Sequence, residues 1–221
     1  MEMLDIMKAR HSVRQYSGKR IGDEKRNILT ALADECNKES GMHIQIFFDE
    51  PNCFDSLMAH YGKFRGVENY IALVGEKNAV LDEKAGYYGE KLVLKAQELG
   101  LNTCWVAMTH GKSAARIEKG EKQACIIALG YGANQGTAHQ SKPLEQLCNC
   151  ASDMPDWFSK GMEAVLLAPT AMNQQKFCFL LENGKVSVKA GKGFYTKMDM
   201  GIVKYHFEAV TGRKIDQGIC P

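Results

Sequence analysis

Apolar residues recur along the chain at two different periods, and the alternation between them predicts a mixed fold. Residues 23–38 carry Ile28, Leu32 and Cys36 four apart with Leu29 beside them, which predicts a helix with one buried stripe. Residues 82–99 carry Ala85, Tyr88, Leu92, Ala96 and Leu99 on one helical face, with Gly100 where a left-handed cap belongs. Residues 3–9, a stretch from Pro155 to about Leu167, and residues 199–210 predict three further helices, with Asp199 read as a cap near the start of the last. Period two appears at Ile44, Ile46 and Phe48, and the apolar runs 70–75, 103–108 and 124–130 read as buried strands. Phe177, Phe179 and Leu181 alternate, Asn183-Gly184 supplies a tight turn, and Val186 and Val188 alternate again, which predicts a β-hairpin. A hairpin beside long helices argues against a purely parallel sheet, so the expected class is α+β, one sheet flanked by helices. The chain reads as a single domain over 1–221, with a soft internal boundary near 148–155 that would divide halves 1–150 and 151–221.

Composition narrows this picture. A net charge of +2 over 221 residues predicts no broad polyanion surface, hence no nucleic-acid partner. No apolar run reaches the roughly 20 residues that a membrane helix needs, so no membrane partner is expected. The first ten residues lack an apolar signal region, and a cytoplasmic location is expected. The eight cysteines then read as reduced thiols, with Cys104, Cys125 and Cys178 as small core residues. Cys148 and Cys150 have no second pair at zinc spacing, so no metal site is expected.

Three segments carry candidate chemistry. Arg10, Ser12 and Arg14 lie within five residues, and two guanidiniums with a hydroxyl can converge on one phosphate, although a charge run read alone usually faces water. Residues 168–177 join a helix to a hairpin strand; small residues there permit close approach to a flat ring, and Asn173 and Gln175 each offer a donor and an acceptor. Residues 89–108 read only as a helix, a glycine cap and a strand. Gly130-Tyr131-Gly132 with Gly136 has the wrong spacing for a dinucleotide loop. His206 reads as a partly buried structural histidine, and Trp105 and Trp157 as core aromatics, with Trp105 also able to border a ring.

Together these segments resemble the nitroreductase family of FMN-dependent oxidoreductases. Arg10, Ser12, Arg14 and Tyr16 match its R-x-S-x-R-x-[FY] segment, and residues 98–105 match its E-L-G-L-x-T-C-W helix end. The run 126–132 resembles its strand ending in G-Y, and residues 141–145 its basic segment before P-L-E. Pro169, Thr170, Asn173, Gln175, Phe177 and Phe179 match A-P-S-x-x-N-x-Q-P-W-x-F, with Thr170 for Ser and Lys176-Phe177 for Pro-Trp. In typical members that block follows soon after the basic segment, whereas here it lies in the C-terminal third, as in a divergent branch.

The resemblance implies a nitroreductase-like sheet flanked by helices and FMN as cofactor, with NADH or NADPH as co-substrate. It implies hydride transfer through flavin to a small-molecule acceptor, a nitroaromatic, quinone or similar compound, by ping-pong exchange, with no catalytic side chain because the flavin carries the chemistry. The implied cofactor-binding residues are Arg10, His11, Ser12, Arg14, Ala107, Met108, Lys142, Pro169, Thr170, Ala171, Met172, Asn173 and Gln175. Arg10 and Lys142 would hold the phosphate, Arg14 would reach the carbonyl edge of the ring, and backbone near Ala107 and Met108 would approach its hydride-accepting nitrogen. Typical members are homodimers with flavin between subunits. The displaced block raises the expectation of two pseudo-symmetric halves in one chain that build the site alone, with a homodimer as the other possibility. A flavin-binding redox sensor or carrier with little turnover is the alternative function, and a relative that binds no flavin is a third.

Overall fold

A computed structural model describes residues 2–150, 152 and 154–215. In chain order its elements are α1 (Met3–Ala9), α2 (Asp23–Ser40), β1 (Gln45–Phe47), α3 (Leu57–Tyr61), β2 (Asn69–Glu76), α4 (Leu81–Glu98), β3 (Asn102–Val106), β4 (Glu121–Gly130), α5 (Asp156–Leu166), β5 (Phe177–Glu182), β6 (Lys185–Ala190) and α6 (Thr196–Thr211). β1, β2, β4 and β3 form an antiparallel sheet in the order β1-β2-β4-β3, and β5 pairs with β6 in a separate two-stranded sheet.

The four-stranded sheet is covered on both faces, which is why β2 and β4 read as continuous apolar runs rather than alternating ones. Ile71 and Leu73 of β2 with Ile127 and Leu129 of β4 meet Leu29 and Ala33 of α2 and Leu92 and Ala96 of α4. Their neighbours in the alternation, Tyr70, Ala72, Ile126 and Ala128, face the opposite way and meet Phe54, Phe64 and Val67. A register shift between Leu73 and Val74 adjusts β2 against β4.

A second layer comes from the C-terminal third. Phe158 and Met162 of α5, Ile202, Val203 and Phe207 of α6, and Phe179 and Val186 of the hairpin share one core. Asn183 and Gly184 both have positive φ, 51° and 74°, as a tight two-residue hairpin turn requires. α6 then lies against α4 with two glycines at the crossing. Gly86 faces the Met198 carbonyl, and Gly201 faces the Glu83 carbonyl and the Tyr87 amide, so backbone meets backbone with no room for a side chain on either helix. α1 closes the end of this pair, burying Ile6 and Met7 against Leu94 of α4 and Ala164 of α5.

Two expectations are corrected, and one helix was not foreseen. The buried stripe of α2 is Leu29, Ala33, Cys36 and Ser40, while Ile28 is 37% exposed; the stripe lies one position further round the helix than the four-residue recurrence implied. Helix α6 starts at Thr196, with Tyr195 at the cap position, so Asp199 sits inside the first turn rather than capping it. α3 was absent from the sequence pattern because only Ala59 of its five residues is buried, which leaves no apolar stripe to detect. Cys220 lies outside the described residues. Among those described, no helix is long and apolar enough to cross a membrane.

Candidate flavin site

Helix α1 ends at Ala9, and the Arg10 amide still donates to the Ile6 carbonyl at 3.0 Å. From there the chain runs extended beside β3. The Val13 amide donates to the Thr103 carbonyl at 3.0 Å, and the Tyr16 amide to the Arg65 carbonyl at 2.9 Å. Val13 and Tyr16 enter the core, while Arg10, Ser12 and Arg14 line a cavity of about 530 Å³. That volume lies within the range of small-molecule sites, roughly 300–1,000 Å³.

The rest of the lining comes from distant parts of the chain: Gln15, Lys63, Asn134, Gly136, Thr137 and His139, then Pro169, Thr170, Met172 and Asn173. The basic segment and the 168–177 loop, more than 150 residues apart in sequence, thus meet in one cavity of a single chain. The loop that brings Gly136 in lies so close that an added Cβ there would be 2.9 Å from the Ser12 carbonyl oxygen.

Electrostatically the cavity is asymmetric. Arg10 is only 4% exposed, forms no ion pair among the described residues, and its Nε has no hydrogen-bond partner. Burial lowers its pKa, with the Glu90 carboxylate acting against that. A buried guanidinium with a proton left to donate is costly unless an anion meets it, and a phosphate fits that donor geometry. Cys104 of β3 lies beside the same segment; burial raises its pKa although Arg14, Ser12 and Arg10 pull the other way. His139 is pushed down by burial, and its Nε2 donates to the Leu166 carbonyl at 2.9 Å, so it stays a neutral member of the wall near pH 7.

The opposite wall comes from the 168–177 loop, whose lining residues Pro169, Thr170, Met172 and Asn173 carry no charge and which is unusually bent. Met172, Asn173 and Gln175 have φ of 52°, 53° and 44°, in the left-handed region that non-glycine residues rarely adopt. Hydrogen bonds hold this shape. The Gln175 amide donates to Thr170 Oγ1 at 3.1 Å, and Gln175 Nε2 to Asn173 Oδ1 at 2.9 Å and the Gln140 carbonyl at 3.0 Å.

Not every sequence-predicted residue lines the cavity. Arg10, Ser12, Arg14, Pro169, Thr170, Met172 and Asn173 do. His11 sits behind the basic segment, with Nδ1 3.1 Å from the Gln135 carbonyl. Ala107 packs on the main core, and Met108 is 69% exposed. Ala171 turns its amide to Asp199 Oδ1 at 2.9 Å. Gln175 is buried behind the loop, and Lys142 directs its ammonium to the carbonyls of Gln174 and Gln175 at 2.7 and 3.2 Å. Sequence reasoning did not nominate Gln15, Lys63, Asn134, Gly136, Thr137 or His139. For the 134–137 stretch a signal existed in Gly130-Tyr131-Gly132 and Gly136, which mark a tight loop at the end of β4 although their spacing fits no dinucleotide motif. Among the described residues no group of three or more His, Cys, Asp or Glu could hold a metal ion.

Behind Arg10 lies a polar cluster in which Glu90 and His206 are fully buried and Trp105 is half-buried. Glu90 of α4 holds His206 Nε2 at 3.0 Å with one oxygen, and accepts from Trp105 Nε1 at 2.9 Å with the other. The remaining His206 nitrogen donates to the Ala164 carbonyl at 2.8 Å. The cluster ties α4, α5, α6 and β3 together, and His206 is structural. Glu90→Ala should strand the imidazole and the indole N–H without partners, and urea unfolding should show a loss of about 3 kcal/mol or more.

Residues 2–211 match the family described as "Putative TM nitroreductase". Among solved structures, the chain is similar to a "putative nitroreductase" of Thermotoga maritima, with 20% identity, a TM-score of 0.67, and coverage of 95% of this chain and 83% of that one. It is also similar to a "putative nitroreductase in complex with fmn" from Desulfovibrio desulfuricans, with 23% identity, a TM-score of 0.55, and coverage of 69% of this chain and 98% of that one. A third similarity is to a "Putative NADH dehydrogenase/NAD(P)H nitroreductase" of Bacteroides thetaiotaomicron, with 18% identity, a TM-score of 0.52, and coverage of 66% and 95%. Comparison with curated protein sequences gives no match. A family match over nearly the whole chain, with a mixed helix-and-sheet fold shared by these neighbours, decides the assignment: the chain belongs to the nitroreductase family.

Proposed function

We propose that the protein is an FMN-dependent oxidoreductase that uses NADH or NADPH to reduce a small acceptor such as a nitroaromatic or a quinone. The observation that carries this reading is the cavity between the basic segment and the 168–173 wall, with the unpaired Arg10 guanidinium buried in it. A cationic end opposite a neutral wall of amide and small residues suits a ligand with a phosphate at one end and a flat polar ring at the other. A nitroreductase-family neighbour bound to FMN supports the choice of flavin, and one named for NADH dehydrogenase or NAD(P)H nitroreductase activity supports the choice of donor.

In this reading Arg10 and Ser12 hold the phosphate, and Arg14 lies toward the ring. Asn173 presents a donor and an acceptor, and Pro169 and Thr170 shape the wall. When bound, FMN supplies two-electron redox chemistry between the nicotinamide and the acceptor. The protein's part is to orient the ring and to place positive charge where reduced flavin carries negative charge. Since one chain contributes both walls, we infer that a monomer suffices to bind flavin. Gel filtration with light scattering tests this point: an apo-monomer that takes up no FMN, beside an obligate dimer that does, overturns it.

The function itself is tested by anaerobic stopped-flow reduction of FMN-loaded protein by each nicotinamide, followed by acceptor turnover. Rapid bleaching and reoxidation by a nitroaromatic or quinone is the expected outcome. Bound flavin that resists both nicotinamides would instead identify a flavin carrier or sensor. Within the same experiment Arg14→Ala should slow flavin reduction more than Lys142→Ala does. Equal losses that track only FMN affinity would remove Arg14 from the ring.

A further inference from the structure

Asp199 belongs to neither the cavity lining nor any ion pair among the described residues, yet it is only 4% exposed. Its two oxygens point away from α6 to the 168–177 loop. Oδ1 accepts the Ala171 amide at 2.9 Å, and Oδ2 accepts Gln174 Nε2 at 2.7 Å. Gln174 Nε2 also donates to the Phe194 carbonyl at 2.7 Å, so one amide group ties the loop both to α6 and to the segment that leads into it. On the other side Lys142 holds the Gln174 and Gln175 carbonyls. Between these anchors lie Met172 and Asn173, two left-handed residues of the cavity wall. An isolated loop would relax out of such backbone conformations, and the bonds to Asp199 and Lys142 join those made by Gln175 in over-determining them. Burial raises the Asp199 pKa, which its two amide partners oppose by hydrogen bonding to the charged form.

We propose that Asp199 is a positioning residue for the flavin ring: through Ala171 and Gln174 it fixes the curvature of the wall that Thr170, Met172 and Asn173 present to the ligand. The inference rests on the flavin reading above and adds to it a residue that touches no ligand. The phosphate end, built by Arg10 and Ser12, lies on the other wall and does not depend on Asp199.

This separation gives a test. Dissociation constants of FMN and of riboflavin, which lacks the phosphate, are measured on the full-length protein carrying Asp199→Asn, Gln174→Ala or both. The asparagine is isosteric but turns an N–H toward Gln174 Nε2, and flipping Gln174 would give up its bond to Phe194. Each single variant is expected to weaken both flavins by about tenfold, leaving their ratio as in wild type, because the loss falls on the ring. The double variant should be little worse than either single one, since both changes break the same tie. Wild-type affinities in the single variants, a loss confined to FMN, or additive losses in the double variant would overturn the proposal. Should Asp199→Asn fold poorly, Gln174→Ala alone keeps the flavin ratio as a readout. A wild-type protein that binds neither flavin would bring down the flavin reading and this inference with it, an outcome distinct from the preceding ones.

Discussion

Arg10→Met should weaken FMN binding by about a hundredfold or more while leaving the flavin-free protein as stable as wild type, or more so. The two halves of this result have one cause. Arg10 is buried with no ion pair among the described residues and with a free Nε–H. In the absence of an anion that arrangement costs stability, and a methionine of similar length removes the charge while filling most of the space. With FMN bound, the same guanidinium makes charge-assisted bonds to phosphate, and truncating one side of a buried charge pair typically costs about 2–5 kcal/mol. Isothermal titration gives the first quantity and thermal melting without flavin gives the second. A residue kept for folding would show the opposite pattern, with a fall in melting temperature and little change in affinity.

The second large effect is expected at the α4–α6 crossing. Gly201→Val places a branched side chain against the Glu83 carbonyl and the Tyr87 amide, where backbone already meets backbone. Neither helix can yield locally, because α4 is fixed by the sheet and α6 by the hairpin core. The helices must move apart, with a loss of about 3 kcal/mol or more. For a chain of this size that lowers the melting temperature by roughly 10 °C. Gly22→Ala is the control. It has open space and an ordinary backbone conformation, and it should change stability by less than about 1 kcal/mol. The Gly201 variant should also lose flavin affinity, because Asp199 lies two residues earlier on α6 and moves with it.

What the sequence revealed depended on how each element is buried. Long amphipathic helices and the hairpin were legible, since their periodicities run for many residues and Asn183-Gly184 permits few other structures. Strands β2 and β4 showed as apolar runs, but nothing in a run reveals its neighbours, so the order β1-β2-β4-β3 was not readable. The site was legible where chemistry concentrates in a few consecutive residues, as at Arg10, Ser12 and Arg14. It was not legible where residues arrive singly. Lys63 enters the cavity from the turn after α3, a helix with no apolar stripe, and His139 from a loop with no periodicity. Asp199 looked like a helix cap because Asp near a helix start usually is one. Its two partners come instead from a loop 25 and 28 residues earlier, a relation that only the folded chain contains.

The most direct measurement is the visible spectrum of the purified full-length protein after incubation with FMN and removal of the unbound fraction. The expected result is a pair of flavin bands at one flavin per chain, bleached under anaerobic conditions by NADH or NADPH. A colourless protein would contradict the account, leaving a nitroreductase fold whose buried arginine serves some other anion.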